Sequence, residues 1–326
     1  MTEMPQTIAT KVRKDVLQAE ERIRSHIRET PVEYSPYLSH LGNCVVYLKL
    51  ENIQLTGSFK LRGAANKVLS LTKDEKCKGV ITASTGNHGL AFAWIANKFD
   101  VKGIIFLPKT SSPAKIEALR LCGAEIQYYG NDCVEAEIHA RKIAEEQGLI
   151  FISAYNDPLI IGGQGTIGIE LARQIPGIEC VLCPVGGGGL IAGISGYLKT
   201  ENSDIEIIGC QPEKSAVMYA SIKAGRILDM ESEPTLSDGS AGGIEPGAIT
   251  FPICQELVDD FILVNEEEIV SALRLIIEKH YLLIEGAAAL SVAAFIQQKD
   301  RFQGKNVVLV LSGSKISLET LKKVLI

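Results

Sequence analysis

The 326-residue sequence has no excess of positive charge: 33 Lys and Arg stand against 39 Asp and Glu, a net charge of −6. Without a basic field to displace counterions from phosphates, a general nucleic-acid binder is not expected. Met1 to Pro5 lack the basic-then-apolar pattern of a secretory leader. One uncharged stretch, residues 180–198, is long enough to suggest a membrane span, but it holds Pro184 and the run Gly186-Gly187-Gly188-Gly189. A strand, a glycine loop and a helix start explain it better, so no membrane partner is expected. Paired cysteine motifs are scarce too. The eight cysteines are scattered, and the single CxxC, Cys180 and Cys183, has no second pair to complete a metal site. They read as reduced, buried thiols of a cytoplasmic protein. Internal repeats and low-complexity segments are absent.

What is present is strand–helix alternation. Apolar residues make up 46% and charged residues 22%, ordinary for a soluble globular chain. Short β-branched runs predict strands at 45–50, 79–83, 103–107, 125–129, 180–184, 206–210 and 307–311. Helical periodicity fills 7–28, 114–122, 133–147 and 266–280. The implied class is α/β, with mainly parallel twisted sheets flanked by helices. There are too many units for one compact sheet, so two domains are expected: a large one from 1–74 and 156–326, and a small one from 75–155. Residues 234–252 lack clear periodicity and read as a long loop, either a surface connection or functional.

Three glycine-bearing loops and one lysine carry the chemistry. In Leu55-Thr56-Gly57-Ser58-Phe59-Lys60, Thr56 and Ser58 can cap a helix beginning near Phe59, which puts Lys60 in its first turn. The positive end of the helix disfavours an ammonium there and lowers its pKa, which suits a Schiff-base amine. A lone lysine would otherwise be a solvated surface residue. Ser84-Thr85-Gly86-Asn87-His88-Gly89 follows an apolar run and opens a helix, whose first amides can bind a carboxylate. His88 there is an acid–base candidate or, more ordinarily, structural. Gly186 to Gly189 lie between a strand and a helix, where bare amides can close around a phosphate. Ser312-Gly313-Ser314 end the last strand, at the sheet edge where α/β proteins place ligand contacts. Glu285 sits between apolar stretches, so its carboxylate would be buried and needs a partner.

These motifs, in this order, resemble the serine/threonine dehydratase family of pyridoxal phosphate enzymes. That family has the tryptophan-synthase-β fold and includes the eukaryotic serine racemases. The resemblance runs from about Ile23 to Ser314 and implies a cofactor, pyridoxal 5′-phosphate, in the cleft between the domains. It implies that Lys60 binds the cofactor and later moves the Cα proton, with Phe59 packed alongside. Gly186, Gly187, Gly188, Gly189 and Leu190 would give amides to the phosphate, Asn87 would bond the phenolic oxygen, and Glu285 would join the cofactor's surroundings. Ser312 would face the pyridine nitrogen. Ser84, Thr85, Asn87 and His88 would hold the substrate carboxylate, with Asn156 and Ser240 also on the substrate side. Thr85 also stands among the expected catalytic residues. Gly163-Gln164-Gly165-Thr166 matches a further segment of the family. The implied reaction is α,β-elimination of a small β-hydroxy amino acid, L-threonine or L-serine, to a 2-oxo acid and ammonia. A homodimer or homotetramer is implied as well.

Three positions depart from the family pattern. Racemases carry a second serine where this chain has Thr85. Metal-binding members carry carboxylates where it has Gln211 and Val217, and hard divalent cations want anionic oxygens, so no metal is expected. Residues 237–247 replace a shorter family sequence with extra glycines and Glu245, which leaves 3-hydroxyaspartate or phenylserine open as substrates and disfavours a second carboxylate if Glu245 faces the pocket. About a dozen residues follow Ser312, so regulation through a further C-terminal domain is not expected.

Rival readings are weaker. Gly187-x-Gly189-x-x-Ala192 fits the relaxed dinucleotide fingerprint of an NAD-dependent oxidoreductase. The next strand, however, ends Gly209-Cys210-Gln211 without the acidic residue a ribose needs, and Lys60 and Ser312 stay unexplained. A β-replacing synthase or a non-catalytic binding protein would keep the fold. Because Thr85 keeps a hydroxyl but its methyl restricts χ1, pyruvate formation from L-serine is expected to outpace D-serine formation. Chiral chromatography beside a 2-oxo acid assay decides this, and faster D-serine formation would contradict it.

Overall fold

The computed structural model of the protein describes residues 7–326; Met1 to Pro5, read above for a leader, lie outside them. The described residues form ten strands: β1 (Val32–Tyr34), β2 (Val45–Leu50), β3 (Val80–Ala83), β4 (Gly103–Leu107), β5 (Glu125–Tyr128), β6 (Ile150–Phe151), β7 (Cys180–Pro184), β8 (Glu206–Pro212), β9 (Asp260–Val264) and β10 (Asn306–Leu311). They form a six-stranded sheet ordered β1-β2-β10-β7-β8-β9 and a four-stranded sheet ordered β5-β4-β3-β6. Every pairing is parallel except β1 with β2. Parallel strands need helical crossovers, and these cover both faces of the large sheet with apolar layers. Strand β7 is buried at every position, as its uninterrupted apolar run requires.

The sequence-based strands correspond to seven of these elements. It passed over β1, β6 and β9. Strand β6 has two residues, too few for any periodicity, and β1 is an edge strand held only through β2. Helix ends follow local chemistry. Asp132 caps Cys133–Gln147 and Gly148 closes it in the left-handed region, while Asn265 and Glu268 form a capping box on Glu266–His280. The leading helix is shorter than its pattern, Ile8–Ile23, and ends in a turn. No described helix is long and apolar enough to cross a membrane. Cys180, Cys183, Cys210 and Cys254 are buried, but Cys77 and Cys133 are exposed, a correction to their reading as core thiols.

Gly163 and Gly165 let the helix Pro158–Gln174 touch its neighbours backbone to backbone. A Cβ at Gly163 would stand 2.6 Å from Gly63 Cα, and one at Gly165 2.8 Å from the Gly193 carbonyl. The first contact fixes the helix Lys60–Leu69, and a buried ionic cluster fixes it further. Arg62 donates to both oxygens of Glu170 (2.7 and 2.8 Å) and both of Glu51 (2.8 Å each). Lys49 on β2 reaches Glu170 at 2.6 Å and the Thr30 carbonyl at 2.7 Å. Burial alone would raise the Glu170 carboxyl, but Arg62 and Lys49 reverse this and hold it at about 2. Burial opposes the Arg62 charge, and Glu51 with Glu170 more than restore it.

Removing one member strands the others' charges. Glu170→Ala is expected to cost about 3–5 kcal/mol of unfolding free energy. Urea titration measures it, and a loss under about 1 kcal/mol would show that the cluster relaxes around the gap.

Candidate active site

The site forms where the C-terminal ends of strands from both sheets meet. Residues 57–59 run antiparallel to 312–314: Phe59 N–H donates to the Ser312 carbonyl (3.1 Å), Ser314 N–H to that of Gly57 (2.9 Å), and Ser58 bridges Gly313. This pairing corrects the expected cap. The helix begins at Lys60, Phe59 is its N-cap without a side-chain bond, and the Thr56 and Ser58 hydroxyls are buried without partners. Pairing with 312–314 sets the backbone that capping would have set. Lys60 therefore occupies the first helical position, as expected, and its amine donates to the Ala154 carbonyl at 2.9 Å. Burial lowers its pKa to about 8, against the opposing pull of Glu285.

Opposite Lys60 lies the glycine loop. Strand β7 ends at Pro184 and the helix Gly189–Glu201 starts at the last glycine, after Gly188 turns the chain at φ 87°. Amides of Gly186 to Leu190 have no partner among the described residues. Side chains could not fit here: a Cβ at Gly187 would stand 2.5 Å from the Tyr155 ring, and one at Gly186 2.9 Å from the Ser240 carbonyl. Tyr155, which sequence reading passed over, thus roofs the loop, and its hydroxyl accepts from Glu245 N–H at 2.9 Å. An aromatic residue beside Asn156 was the only signal for it.

The pocket is a cavity of about 490 Å³ counted out to its mouth. It brings together Phe59, Lys60, Asn87, Gly186 to Gly189, Leu190, Ser240, Glu285 and Ser312 from the expected set. Ser84, Thr85, His88 and Asn156 are not part of its lining. The Ser84 hydroxyl accepts from Gly86 N–H (3.2 Å), and Asn156 Oδ1 accepts from Ile249 N–H (2.9 Å), tying down the 234–249 loop. His88 is turned into the core, with Nε2 3.1 Å from both Thr82 Oγ1 and the Ile152 carbonyl. Burial and then the Lys60 charge push its pKa down to about 3. Its imidazole is a neutral hydrogen-bonding group of the core, the more ordinary of the two roles read for it, which leaves only the His88 backbone for the expected carboxylate contact. Thr85 lies two positions before Asn87, the lining residue that opens the helix Asn87–Lys98.

Glu285 did need a partner, and has one: Asn87 Nδ2 donates to both its oxygens, at 2.9 and 2.8 Å. Glu245 faces Arg141, which it meets at 2.9 Å, rather than standing as an unpaired charge. Gln211 accepts from Tyr219 N–H at 2.8 Å, and Val217 is buried.

Pyridoxal phosphate fits this donor set. Unpartnered amides at a helix N-terminus suit its phosphate, a lysine of lowered pKa suits its aldehyde, and the buried, unpartnered Asn87 Oδ1 shows polar capacity not met within the protein.

Comparison with known proteins supports that fit. The sequence profile described as pyridoxal-phosphate dependent enzyme matches residues 23–313. An L-threonine ammonia-lyase from Thermotoga maritima is 39% identical over 312 residues, 96% of this chain and 77% of that protein. A catabolic L-threonine dehydratase, TdcB, from Staphylococcus aureus is 40% identical over 310 residues, covering 93% and 89%. Among solved structures, the processed form of threonine deaminase isoform 2 from Solanum lycopersicum superposes with a TM-score of 0.93 at 34% identity, covering 97% of this chain and 92% of that one. Maize serine racemase does so at 0.90 and 30%, covering 96% of each. With a matching profile over most of its length and a pocket built for the same cofactor, the chain belongs to the family of pyridoxal-phosphate dependent enzymes.

Proposed function

We propose that the protein is an ammonia-lyase that converts L-threonine, L-serine or both to a 2-oxo acid and ammonia by α,β-elimination. The observation that carries this reading is the Lys60 amine, with its pKa lowered to about 8, facing a cradle of bare amides across a pocket that ends at Ser312. The relatives named for threonine as substrate support the choice of substrate.

When bound, pyridoxal phosphate supplies the electron-withdrawing ring that makes the substrate Cα–H acidic. The amides of Gly186 to Leu190 would hold the phosphate at the positive end of their helix. Ser312, neutral where other enzymes use an aspartate, would not enforce protonation of the pyridine nitrogen. A weaker electron sink would favour loss of a β-substituent. The helix start at Asn87, with Ser84 and Thr85 beside it, receives the substrate carboxylate. Lys60 would hold the cofactor's aldehyde and is the base placed to take the substrate Cα proton, which its lowered pKa suits. Tyr155 and Ser240 roof the phosphate loop and exclude water.

Carboxylate binding at 84–88 and phosphate binding at 186–190 draw the 75–155 unit towards the rest. Closure on substrate is therefore part of the proposal, with Arg141–Glu245 and Lys115–Asp238 as the ion pairs that span the gap. A cytoplasmic homodimer or homotetramer completes it. Its support is the exposure of Tyr37, Leu55, Tyr281 and Leu283, four large apolar side chains.

Lys60→Ala is expected to lose the visible absorption band of the lysine-bound cofactor and to lower 2-oxo acid release by about 10²–10⁴-fold. A variant that keeps both would overturn the assignment. Only the neutral amine adds to an aldehyde, and the folded pKa lies below the usual 10.5. Uptake of cofactor by stripped protein should thus accelerate about tenfold per pH unit up to about 8 and then level off. A rate still climbing at pH 10 would contradict the lowered pKa.

A further inference from the structure

Glu285 closes one side of the pocket in surroundings unusual for a carboxylate. It is 3% exposed and stands at the N-cap of the helix Gly286–Gln297 without capping it. Bare backbone presses on it: a Cβ at Gly313 would collide with its oxygens, and one at Gly239 would lie 3.4 Å from Oε1. Lys315 N–H donates to Oε2 at 3.2 Å. The charged and titratable groups around it are Lys60 from its helix, Asp238 from the loop, Lys315 after β10, and the neutral His88 beside Asn87. Burial raises the carboxyl to about 7, with Asp238 adding to it and Asn87 and Lys315 opposing.

The Asn87 contact is half finished. Its nitrogen is spent on Glu285, while Oδ1 is buried with no partner. A buried amide oxygen left unmet costs about 1–3 kcal/mol. Two arrangements satisfy the carboxyl, and they differ by a half-turn of the amide and one proton. With Glu285 ionised, the Asn87 nitrogen faces it and the pocket meets an acceptor. With Glu285 protonated, its O–H donates to Oδ1 and the pocket meets an N–H.

We propose that loading the pocket with cofactor protonates Glu285 and turns the Asn87 amide about, so that Asn87 presents an N–H to the ring oxygen of the cofactor. The inference rests on reading the pocket as the pyridoxal phosphate site. A ligand that displaces the remaining water disfavours the ionised carboxyl further. An anionic ring oxygen facing Asn87 would call for a donor there, and of the two amide arrangements only the turned one presents an N–H. The proton comes from solvent or from the cofactor's own hydroxyl and rests on Glu285. Glu285 is thus a positioning residue: it acts through Asn87, and its proton decides which end of the amide the ligand meets.

The test is the proton count of cofactor binding to full-length stripped protein, from calorimetry in buffers of different ionisation heat. Lys60 and the cofactor exchange protons in every variant, so the difference from Glu285→Gln isolates this carboxyl. Near pH 8.5 the wild type is expected to take up up to one proton more than Glu285→Gln, and the excess shrinks below about pH 7, where empty-site Glu285 already carries it. Infrared difference spectra of the wild type alone, with carboxyl-labelled glutamate, should show a protonated carboxyl at pH 8.5 only in the loaded enzyme. Equal proton counts, or no protonated carboxyl on loading, would overturn the inference while a visible band leaves the cofactor reading standing. No visible band in the wild type would overturn both.

Discussion

The ion cluster around Arg62 is the constraint on which the rest of the architecture depends. Arg62 lies two positions after Lys60, and both lie in the first turn of one helix. Its guanidinium spends its fork on Glu51, just past β2, and on Glu170, in the helix that crosses behind. Lys49 adds a second cation on Glu170. Such clusters contribute little net stability compared with apolar packing, but they tolerate few alternative arrangements. Here that intolerance sets the position of the lysine. The backbone contact between Gly63 and Gly163 sets the distance, and the antiparallel pairing of 57–59 with 312–314 sets the entry of the chain.

Against this rigid floor the opposite wall is built from absences. Gly186 to Gly189 leave amides bare because Tyr155 and Ser240 fill the space that side chains would take. The pocket is polar where backbone is exposed and apolar where Phe59 and Leu190 reach it. Charge inside it is poised rather than fixed: burial moves the amine to about 8 and the carboxyl to about 7, each towards neutrality, while Glu285 pulls the amine back and Asn87 with Lys315 pull the carboxyl back.

Much of this was legible in the sequence because the motifs are local. A strand, a glycine run and a helix start are contiguous at 180–190, and so is the turn that delivers Lys60. What was not legible depends on residues far apart in the chain. The Thr56 and Ser58 hydroxyls read as caps because nothing nearby revealed the pairing with residues about 250 positions later. Glu285 was readable as a buried carboxylate in need of a partner, but Asn87 lies 198 positions away. Nothing local marks Lys49, Glu51, Arg62 and Glu170 as a cluster, since only the fold removes them from water. His88 presents the opposite case: a residue type that suggests chemistry, used by the fold as a buried hydrogen-bonding strut.

Strand β10 sits between β2 and β7, although nine strands precede it along the chain. Strand β2 has only the three-residue β1 on its other side, so it must wait through some 250 residues of synthesis for its parallel partner. The four-stranded sheet draws on residues 80–151 alone and can assemble as they emerge from the ribosome. The large sheet closes only when residues 306–311 slot into its middle. Contacts so distant in sequence make this a slow step, with two open sheet edges exposed to aggregation until it is complete. The lysine helix hangs from β2, so the nascent chain has no organised catalytic pocket until that late strand arrives.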